Sequence, residues 1–192
     1  METNLSNNEE TLFEGRTFEI IIKCFISGQK SSKVEIARRA PGVRLLIIKD
    51  NKMLIIREFR FELNAYDYRL PGGKVFDSLK EYKEALMKNP DILKHATDAA
   101  KKECIEETGL IVKKIKHYIT SHAGLTVQWD LFYFIIDDFE LNEKGQQLEH
   151  DEEIYVEWKT FGEVKELCLG NQVKEYRSVG VILTYLLQNK NK

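Results

Sequence analysis

The sequence predicts an α+β or α/β sandwich, in which a mixed β-sheet is flanked by helices. Short β-rich segments occur both before and after a central charged segment with helical spacing, and two apolar helical segments end the chain. The 192 residues are enough for one well-filled core and too few for two independent domains of ordinary size. We expect a flexible tail over residues 1–11, an antiparallel β-extension over 12–40 and one main domain over 41–192.

Composition excludes several classes of protein. The 29 basic and 31 acidic residues leave a net charge of −2, so no overall field favours nucleic acid or an acidic membrane surface. Cys24, Cys104 and Cys168 are far apart in the sequence and lack the spacing of a metal-binding pair, which predicts free thiols in a reducing compartment. No apolar run approaches about 18 residues, and the first residues are polar. We therefore expect a cytoplasmic protein.

The first half of the chain is rich in predicted strands. Residues 18–26 and 34–39 read as two strands joined by a turn, and they need a covering surface on the main domain or on a second subunit. Residues 43–48 and 53–60 follow as a hairpin around a polar turn. The segment 61–69 alternates between aromatic and polar residues and has no assigned element.

A loop and a charged, helix-prone segment come next. Pro71 lacks a backbone donor, and Gly72 and Gly73 free the backbone, which suits a loop that approaches a ligand closely. Residues 75–94 are charged and helix-prone with a partial apolar stripe, and Asn89-Pro90 breaks that pattern.

The following helix carries three glutamates on one edge. Asp91 or Thr97 is its expected N-cap, and Gly109 is its expected left-handed C-terminal cap. The glutamates are spaced at i, i+3 and i+4, where like charges repel each other. They are Glu103, Glu106 and Glu107. Carboxylate oxygens are ligands for a hard cation such as Mg²⁺, so the edge is a candidate metal site, and a solvated acidic helix edge is the alternative.

The last third of the chain predicts three strands and two helices. The strands cover residues 111–120, 129–136 and 154–159, and a long acidic linker over 137–153 separates the second from the third. The helices cover 161–169 and 173–187, and the second has apolar residues at core-facing spacing.

The run from Gly73 to Leu110 resembles the signature of the Nudix hydrolases. The second half of that signature reads Arg-Glu-U-x-Glu-Glu-x-Gly-U, with U an aliphatic residue, and this chain has Lys102-Glu103-Cys104-Ile105-Glu106-Glu107-Thr108-Gly109-Leu110. The resemblance implies the Nudix fold over roughly residues 43–187 and hydrolysis of a nucleoside diphosphate linked to another moiety. It also implies Mg²⁺ or Mn²⁺ as cofactor, bound by Glu103, Glu106, Glu107 and the carbonyl of Gly72.

The chain departs from the signature in its first half. Lys102 lies about 15 residues farther from Gly73 than the family pattern allows, so residues 75–94 contain an insertion. Lys102 itself stands where arginine is expected, and lysine lacks the planar fork of arginine. The first glutamate of the signature falls on Lys94 or on Leu79, depending on the direction of counting, and Asp98 is a candidate replacement.

The resemblance is nearest the ADP-ribose pyrophosphatase-like branch, whose members are commonly homodimers. It implies a general base on a late acidic loop, for which we choose Glu152, with Glu106 and Lys102 as further catalytic residues. A charged surface loop is the alternative for that segment. His122 stands where the branch has proline.

Residues for substrate binding come partly from side-chain chemistry. Arg60, Arg69 and Gly73 are candidate contacts, because guanidinium forks suit phosphate, although an ordinary ion pair is the alternative for the arginines. The expected substrate is ADP-ribose or a nucleotide sugar, with no nucleic acid or membrane partner. The alternative function is a catalytically impaired module that binds a nucleotide.

Overall fold

The computed structural model describes residues 4–27, 30–150 and 152–189. The strands in these ranges are β1 (Asn4–Glu14), β2 (Phe18–Ser27), β3 (Lys30–Arg39), β4 (Gly42–Lys49), β5 (Lys52–Arg60), β6 (Ala65–Arg69), β7 (Leu110–Ser121), β8 (Val127–Gln128), β9 (Leu131–Leu141) and β10 (Ile154–Thr160). The helices are α1 (Leu79–Lys88), α2 (Ile92–Thr108), α3 (Phe161–Leu169) and α4 (Tyr176–Gln188). None of these helices is long and apolar enough to cross a membrane.

The larger sheet is mixed and lies between two layers of helices. Its order is β10-β5-β4-β9-β7, with β6 also paired to β5, and β4 runs parallel to β9. Successive side chains of a strand point to opposite faces. Leu45 therefore packs in the cluster that includes Ala100 of α2, whereas Leu46 packs with Val164 of α3 and Ile182 of α4. This arrangement confirms the predicted α+β sandwich with a mixed sheet.

A second sheet has four strands in the order β1-β2-β3-β8; β1 to β3 precede the main sheet in the chain, and β8 lies between β7 and β9. The predicted strands at 18–26 and 34–39 are present, and β3 begins earlier than predicted. Residues 4–11, predicted as part of a flexible tail, instead belong to β1, because their backbone pairs with β2 from Asn4 opposite Ile26 onward. Polar composition concealed a strand that is held by backbone pairing. Residues 1–3 of the predicted tail lie outside the described residues.

The insertion forms α1, which packs against the second sheet. Ser78 caps the helix by accepting a hydrogen bond from the N–H of Glu81. The N–H of Leu79 donates to the carbonyl of Arg16 over 2.9 Å, and the Leu79 side chain is buried. The Lys83 amine lies 2.7 Å from a carboxylate oxygen of Glu19, which is itself fully buried. The inserted residues therefore join the second sheet to the main domain.

Helix α2 begins and ends at residues that the sequence indicated. Asp91 is the N-cap, since its side chain accepts from the N–H of Lys94, and the alternative cap, Thr97, lies inside the helix. Gly109 ends the helix with a φ of 68°, in the left-handed region that glycine adopts without strain. The backbone N–H of Gly109 donates to the Ile105 carbonyl, as a C-cap requires.

Other elements also differ from the sequence prediction. Strand β6 occupies the unassigned segment 61–69, and its backbone pairs with β5 from Ala65 to Arg69. Strand β9 continues through Leu141, so it takes the first part of the predicted linker by pairing with β7. Helix α4 begins at Tyr176 rather than at residue 173, because Val173 is buried in the core before the helix starts.

Candidate active site

The glutamate edge of α2 lies against the sheet with one carboxylate buried. Ala96, Ala100 and Cys104 on the packing face of α2 have no exposed surface, which fixes the helix on the sheet. Glu107 lies beside this face and is 6% exposed, whereas Glu103 and Glu106 are partly buried. The helical spacing predicted from the sequence therefore brings carboxylates of graded burial to one edge.

The Gly72-Gly73 loop closes over these carboxylates. The N–H of Gly72 donates a hydrogen bond of 2.6 Å to Oε2 of Glu107. The Gly73 carbonyl accepts from the N–H of Val43 over 2.9 Å, which holds the loop on β4. Gly72 has a φ of 139°, and a Cβ atom there would collide with the backbone of Val43, so this position requires glycine, while the carboxylate of Glu103 lies against Gly73. The structure thus brings Gly72 and Gly73 together with Glu103 and Glu107, with contact through the N–H of Gly72, and the metal-ligand role of its carbonyl stays a prediction.

Burial and crowding raise the pKa of the two inner carboxyls. Burial, followed by the charge of Glu106, raises the pKa of Glu103 to about 7, and the charge of Glu152 contributes to the same shift. Burial and the charge of Glu103 raise the pKa of Glu107 well above its usual value, although the Gly72 N–H bond opposes the shift. Carboxylates without a counter-charge repel each other in a poorly solvated site.

This donor set fits a divalent hard cation in its chemistry. Such a cation prefers carboxylate and carbonyl oxygens, which Glu103, Glu106, Glu107 and Gly72 provide. The negative charge that raises the pKa of Glu103 and Glu107 is charge that a cation offsets. Within the described ranges, no three acidic, histidine or cysteine side chains already converge closely enough to coordinate a metal ion. The glutamate side chains would therefore have to converge for a cation to be bound by three of them.

Lys102 contacts the outermost glutamate. Its Nζ lies 3.1 Å from Oε2 of Glu106, one helical turn away, and both side chains reach solvent. The hydrogen bond to Glu106 is the main cause of the raised pKa of Lys102, and the charge of Asp77 also contributes. The replacement acid that the sequence suggested, Asp98, is exposed on α2. Asp77, which lies within residues 75–94, adds to the charges of Glu106 and Glu103 that act on Lys102.

Arg60 and Arg69 converge on an acid that sequence reasoning missed. Nη1 of Arg60 lies 2.8 Å from Oε1 of Glu58, and Nη1 of Arg69 lies 2.7 Å from Oε2 of the same carboxylate. Arg60 also contacts Glu62. The charge of Glu58 contributes to the raised pKa of Glu107, so this group adjoins the glutamate edge. Both arginines are ion-paired, as the alternative interpretation of the sequence held, and phosphate contact stays a prediction.

Glu152 lies in the loop between β9 and β10, which is attached to the end of α2. The side-chain amide of Gln146 donates to the Glu107 carbonyl over 2.6 Å, and the N–H of Gln147 donates to the Glu106 carbonyl over 2.8 Å. The carboxylate of Glu152 accepts from the N–H of Glu149 over 3.0 Å. These bonds explain why the charge of Glu152 reaches Glu103, far away in sequence.

A buried ion pair between Arg44 and Glu175 lies close to the glutamate edge. Arg44 is 5% exposed, and its Nε and Nη2 each donate 2.8 Å hydrogen bonds to the carboxylate of Glu175. Its charge opposes the raised pKa of both Glu103 and Glu107. An arginine within an apolar strand signals such a partner, because buried charges are nearly always paired. The sequence offered no means of choosing Glu175, which is 131 positions away.

Comparison with protein-family models finds no match, and comparison with curated proteins finds none either. Among solved structures, the chain is similar to one described as "Crystal structure of ADP compounds hydrolase", with a TM-score of 0.71. The two sequences are 15% identical, and the alignment covers 100% of this chain and 97% of the other. The likeness confirms a Nudix-like α+β fold.

Proposed function

We propose that this protein is a hydrolase that cleaves the diphosphate bond of a nucleoside diphosphate derivative, with ADP-ribose or a nucleotide sugar as the first substrates to test. The proposal rests on one observation: Glu103 and Glu107 lie against the Gly72-Gly73 loop with their pKa raised by burial and by neighbouring glutamates. The fold shared with a structure described as an ADP compounds hydrolase supports the same class of reaction.

In this proposal, Mg²⁺ or Mn²⁺ is held by Glu103, Glu106, Glu107 and the carbonyl of Gly72. When bound, such a cation neutralises diphosphate charge and lowers the pKa of water. The ion pair between Lys102 and Glu106 orients the Glu106 carboxylate. Gly73, which has no side chain to obstruct the approach, borders the substrate.

The proposed general base is Glu152. Its charge already acts on Glu103, and its loop is attached to α2 through Gln146. A base has only to come within hydrogen-bond reach of the water whose proton it takes, so a small movement of this loop is sufficient. Arg60 and Arg69 are the proposed phosphate contacts, and they would exchange part of their bonding to Glu58 for phosphate oxygens.

A panel of nucleoside diphosphate derivatives, assayed with and without Mg²⁺ or Mn²⁺, tests the proposal. We expect metal-dependent release of a nucleoside monophosphate, identified by chromatography. The Glu107→Gln variant should lose at least about 100-fold in kcat/KM, which corresponds to about 3 kcal/mol. Glu84→Gln, which removes an exposed glutamate of α1, is the matched control and should retain activity. Absence of turnover across the whole panel would contradict the proposal.

The second candidate is a module that binds a nucleotide without cleaving it. One observation favours it: Lys102 forms an ion pair with Glu106, one of the proposed metal ligands. Calorimetry would then show saturable binding of a nucleotide with no product. A measurable kcat that disappears in Glu103→Gln would eliminate this candidate.

We also propose that the protein is a homodimer through its second sheet. Leu12, Phe13 and Phe18 on β1 and β2 are each about half exposed, at 50%, 51% and 47%. Exposed apolar side chains that cluster on one sheet mark an interaction surface. Light scattering on the eluting protein should give twice the chain mass of 22.4 kDa. A Phe13→Glu variant should elute as a monomer, and a monomeric unmodified protein would contradict the proposal.

A further inference from the structure

One buried arginine connects a helix on one face of the larger sheet to the loop that closes over the glutamate edge. Arg44 lies on β4, and its Nε and Nη2 donate to the carboxylate of Glu175, the N-cap residue of α4. Its third nitrogen, Nη1, donates a 2.7 Å hydrogen bond to the backbone carbonyl of Val43. All three guanidinium nitrogens therefore have an acceptor, and these bonds fix the plane of the group.

The Val43 carbonyl is in turn the group against which Gly72 packs. A Cβ atom at Gly72 would collide with the oxygen of this carbonyl, which shows how closely the loop passes. Beside this contact, the N–H of Leu45 donates to the Pro71 carbonyl over 2.8 Å and joins the loop to β4. The Val43 carbonyl takes its hydrogen bond from Arg44. Arg44 therefore bonds the atom on which the loop rests.

Gly72 also holds the inner carboxylate of the glutamate edge. Its N–H donates to Oε2 of Glu107 over 2.6 Å, so any displacement of the Gly72 backbone moves the donor that Glu107 uses. Because glycine has no side chain, the position of Gly72 depends on what its backbone touches. The contacts run in an unbroken series from Glu175 through Arg44, Val43 and Gly72 to Glu107.

We propose that Arg44 is a positioning residue, which fixes the Val43 carbonyl so that the Gly72 N–H stays directed at the Glu107 carboxylate. The value of this position for catalysis rests on the proposed hydrolysis, whereas the contacts do not. Displacements of about 1 Å in an active site can cost about 100-fold in rate, so a small movement of the loop is enough. Lysine at residue 44 would keep the charge, but its single nitrogen cannot hold a carboxylate and a carbonyl in one fixed plane.

The alternative is that Arg44 only stabilises the fold. The backbone hydrogen bonds of the sheet would then fix the Val43 carbonyl without help, and Arg44 would contribute only to the free energy of unfolding. The two roles differ in the native state. A purely stabilising residue can be replaced without moving the Gly72 N–H in the molecules that stay folded, whereas loss of a positioning residue moves it.

NMR of the metal-free protein separates these roles without an activity assay. The amide proton of Gly72, assigned from triple-resonance spectra, reports on its bond to Glu107, because a short hydrogen bond to a carboxylate moves the resonance downfield. In Arg44→Lys, which keeps a positive charge beside Glu175, we expect this resonance to move upfield. Hydrogen exchange at the Gly72 amide should also accelerate at least about tenfold relative to that of Leu46, a core residue of β4.

Arg38→Lys is the matched control. Arg38 is also ion-paired, with its Nε 2.6 Å from a carboxylate oxygen of the buried Glu19, and it lies on β3 in the second sheet. The same substitution there should leave the Gly72 resonance unmoved. If Arg44→Lys does not fold, Glu175→Gln, which weakens the anchor of Arg44, decides the result. An unmoved Gly72 resonance in the folded variant, or an equal movement in Arg38→Lys, would overturn the proposal.

Steady-state kinetics then test the consequence for catalysis. With a substrate that the nucleotide panel identifies, Arg44→Lys should lower kcat at least about tenfold and change KM less than about threefold, because the contacts lead to the reacting centre. Arg38→Lys should retain kcat. A moved Gly72 resonance with an unchanged kcat would overturn the catalytic role of this position. If no substrate is turned over, the proposed hydrolysis fails, and the Gly72 resonance still decides whether Arg44 positions the loop.

Discussion

Two groups of buried carboxylates lie near Arg44, and they differ in whether the chain supplies their counter-charge. Burial alone would raise the pKa of Glu175, but the hydrogen bonds and charge of Arg44, with a further bond from Ser178, lower it to about 2. Burial and neighbouring glutamates instead raise the pKa of Glu103 to about 7. The same charge of Arg44 acts on both, and only Glu175 receives its two hydrogen bonds.

This difference separates a structural carboxylate from one arranged for a ligand. The chain itself supplies the partners of Glu175, because Arg44 and Ser178 donate hydrogen bonds to its carboxylate oxygens. The negative charges of Glu103 and Glu107 are poorly compensated, and such groups lower the stability of the fold unless a cationic ligand offsets their repulsion. The low pKa of Glu175 therefore marks a support of the fold, and the raised pKa of Glu103 marks the site at which a cation gains most.

Breaking the complete pair should have the largest effect on stability. Glu175→Gln leaves the buried Arg44 without a counter-charge, and loss of one partner of a buried pair costs about 3 kcal/mol or more of the free energy of unfolding. Chemical denaturation at pH 7 measures it. The control is Glu140→Gln, which breaks the exposed pair with Lys113 and should cost less than about 1 kcal/mol. Equal losses in the two variants would show that the Arg44 pair contributes no special support.

Removing the uncompensated carboxylate of Glu103 should increase the free energy of unfolding, whereas Glu175→Gln lowers it. Because the pKa of Glu103 is raised from 4.5 to about 7, its ionisation destabilises the fold as pH rises from 4.5 to 7, and the penalty stays constant above that. In metal-free buffer, Glu103→Gln should therefore stabilise the protein at pH 8 by roughly 2 kcal/mol and leave it unchanged at pH 4. Denaturation at both pH values measures this, with Glu84→Gln as control. A destabilised Glu103→Gln at pH 8 would contradict it.

A divalent cation should also offset the destabilisation caused by ionised Glu103, with a smaller gain in stability than Glu103→Gln gives. At about ten times its Kd, Mg²⁺ or Mn²⁺ adds roughly 1.4 kcal/mol, which raises the Tm of a chain this size by about 3–6 °C. The rise should be larger at pH 8 than at pH 5, since protonated Glu103 does not bind a cation. Scanning fluorimetry with Mg²⁺, Mn²⁺ and EDTA measures it. An equal rise in Glu107→Gln would place the cation elsewhere.

Local patterns explain why the glutamate edge and its loop were predictable. Helical spacing and the Gly109 cap depend only on neighbouring residues, so the sequence sufficed to place Glu103 and Glu107 on one edge. Gly72 was informative because only a residue without a Cβ tolerates its positive φ and its approach to the backbone of Val43. The fold class followed from the same alternation of strand and helix patterns.

Long-range pairings explain most of what was missed. Glu58, which holds Arg60 and Arg69, reads as an ordinary exposed position in a strand, and the strand pairing of β5 with β6 gives it its role. Asp77 contributes, after Glu106 and Glu103, to the raised pKa of Lys102, although residues 79–108 of α1 and α2 separate it from the end of the glutamate edge. Strand β1 carries too few apolar residues to be recognised without its partner β2.

The smallest expected effect concerns the outer, solvent-exposed end of the glutamate edge. Lys102 and Glu106 form an i,i+4 pair with side chains 67% and 33% exposed, so Lys102→Ala should change the free energy of unfolding by less than about 0.5 kcal/mol. Lys102→Arg should leave stability equally unchanged and raise kcat/KM only a few-fold, because a planar fork holds the Glu106 carboxylate more firmly than an amine does. Parallel denaturation and steady-state kinetics measure both. A loss above about 2 kcal/mol in Lys102→Ala would make this pair part of the fold, like Arg44 and Glu175, and erase the contrast between the two groups.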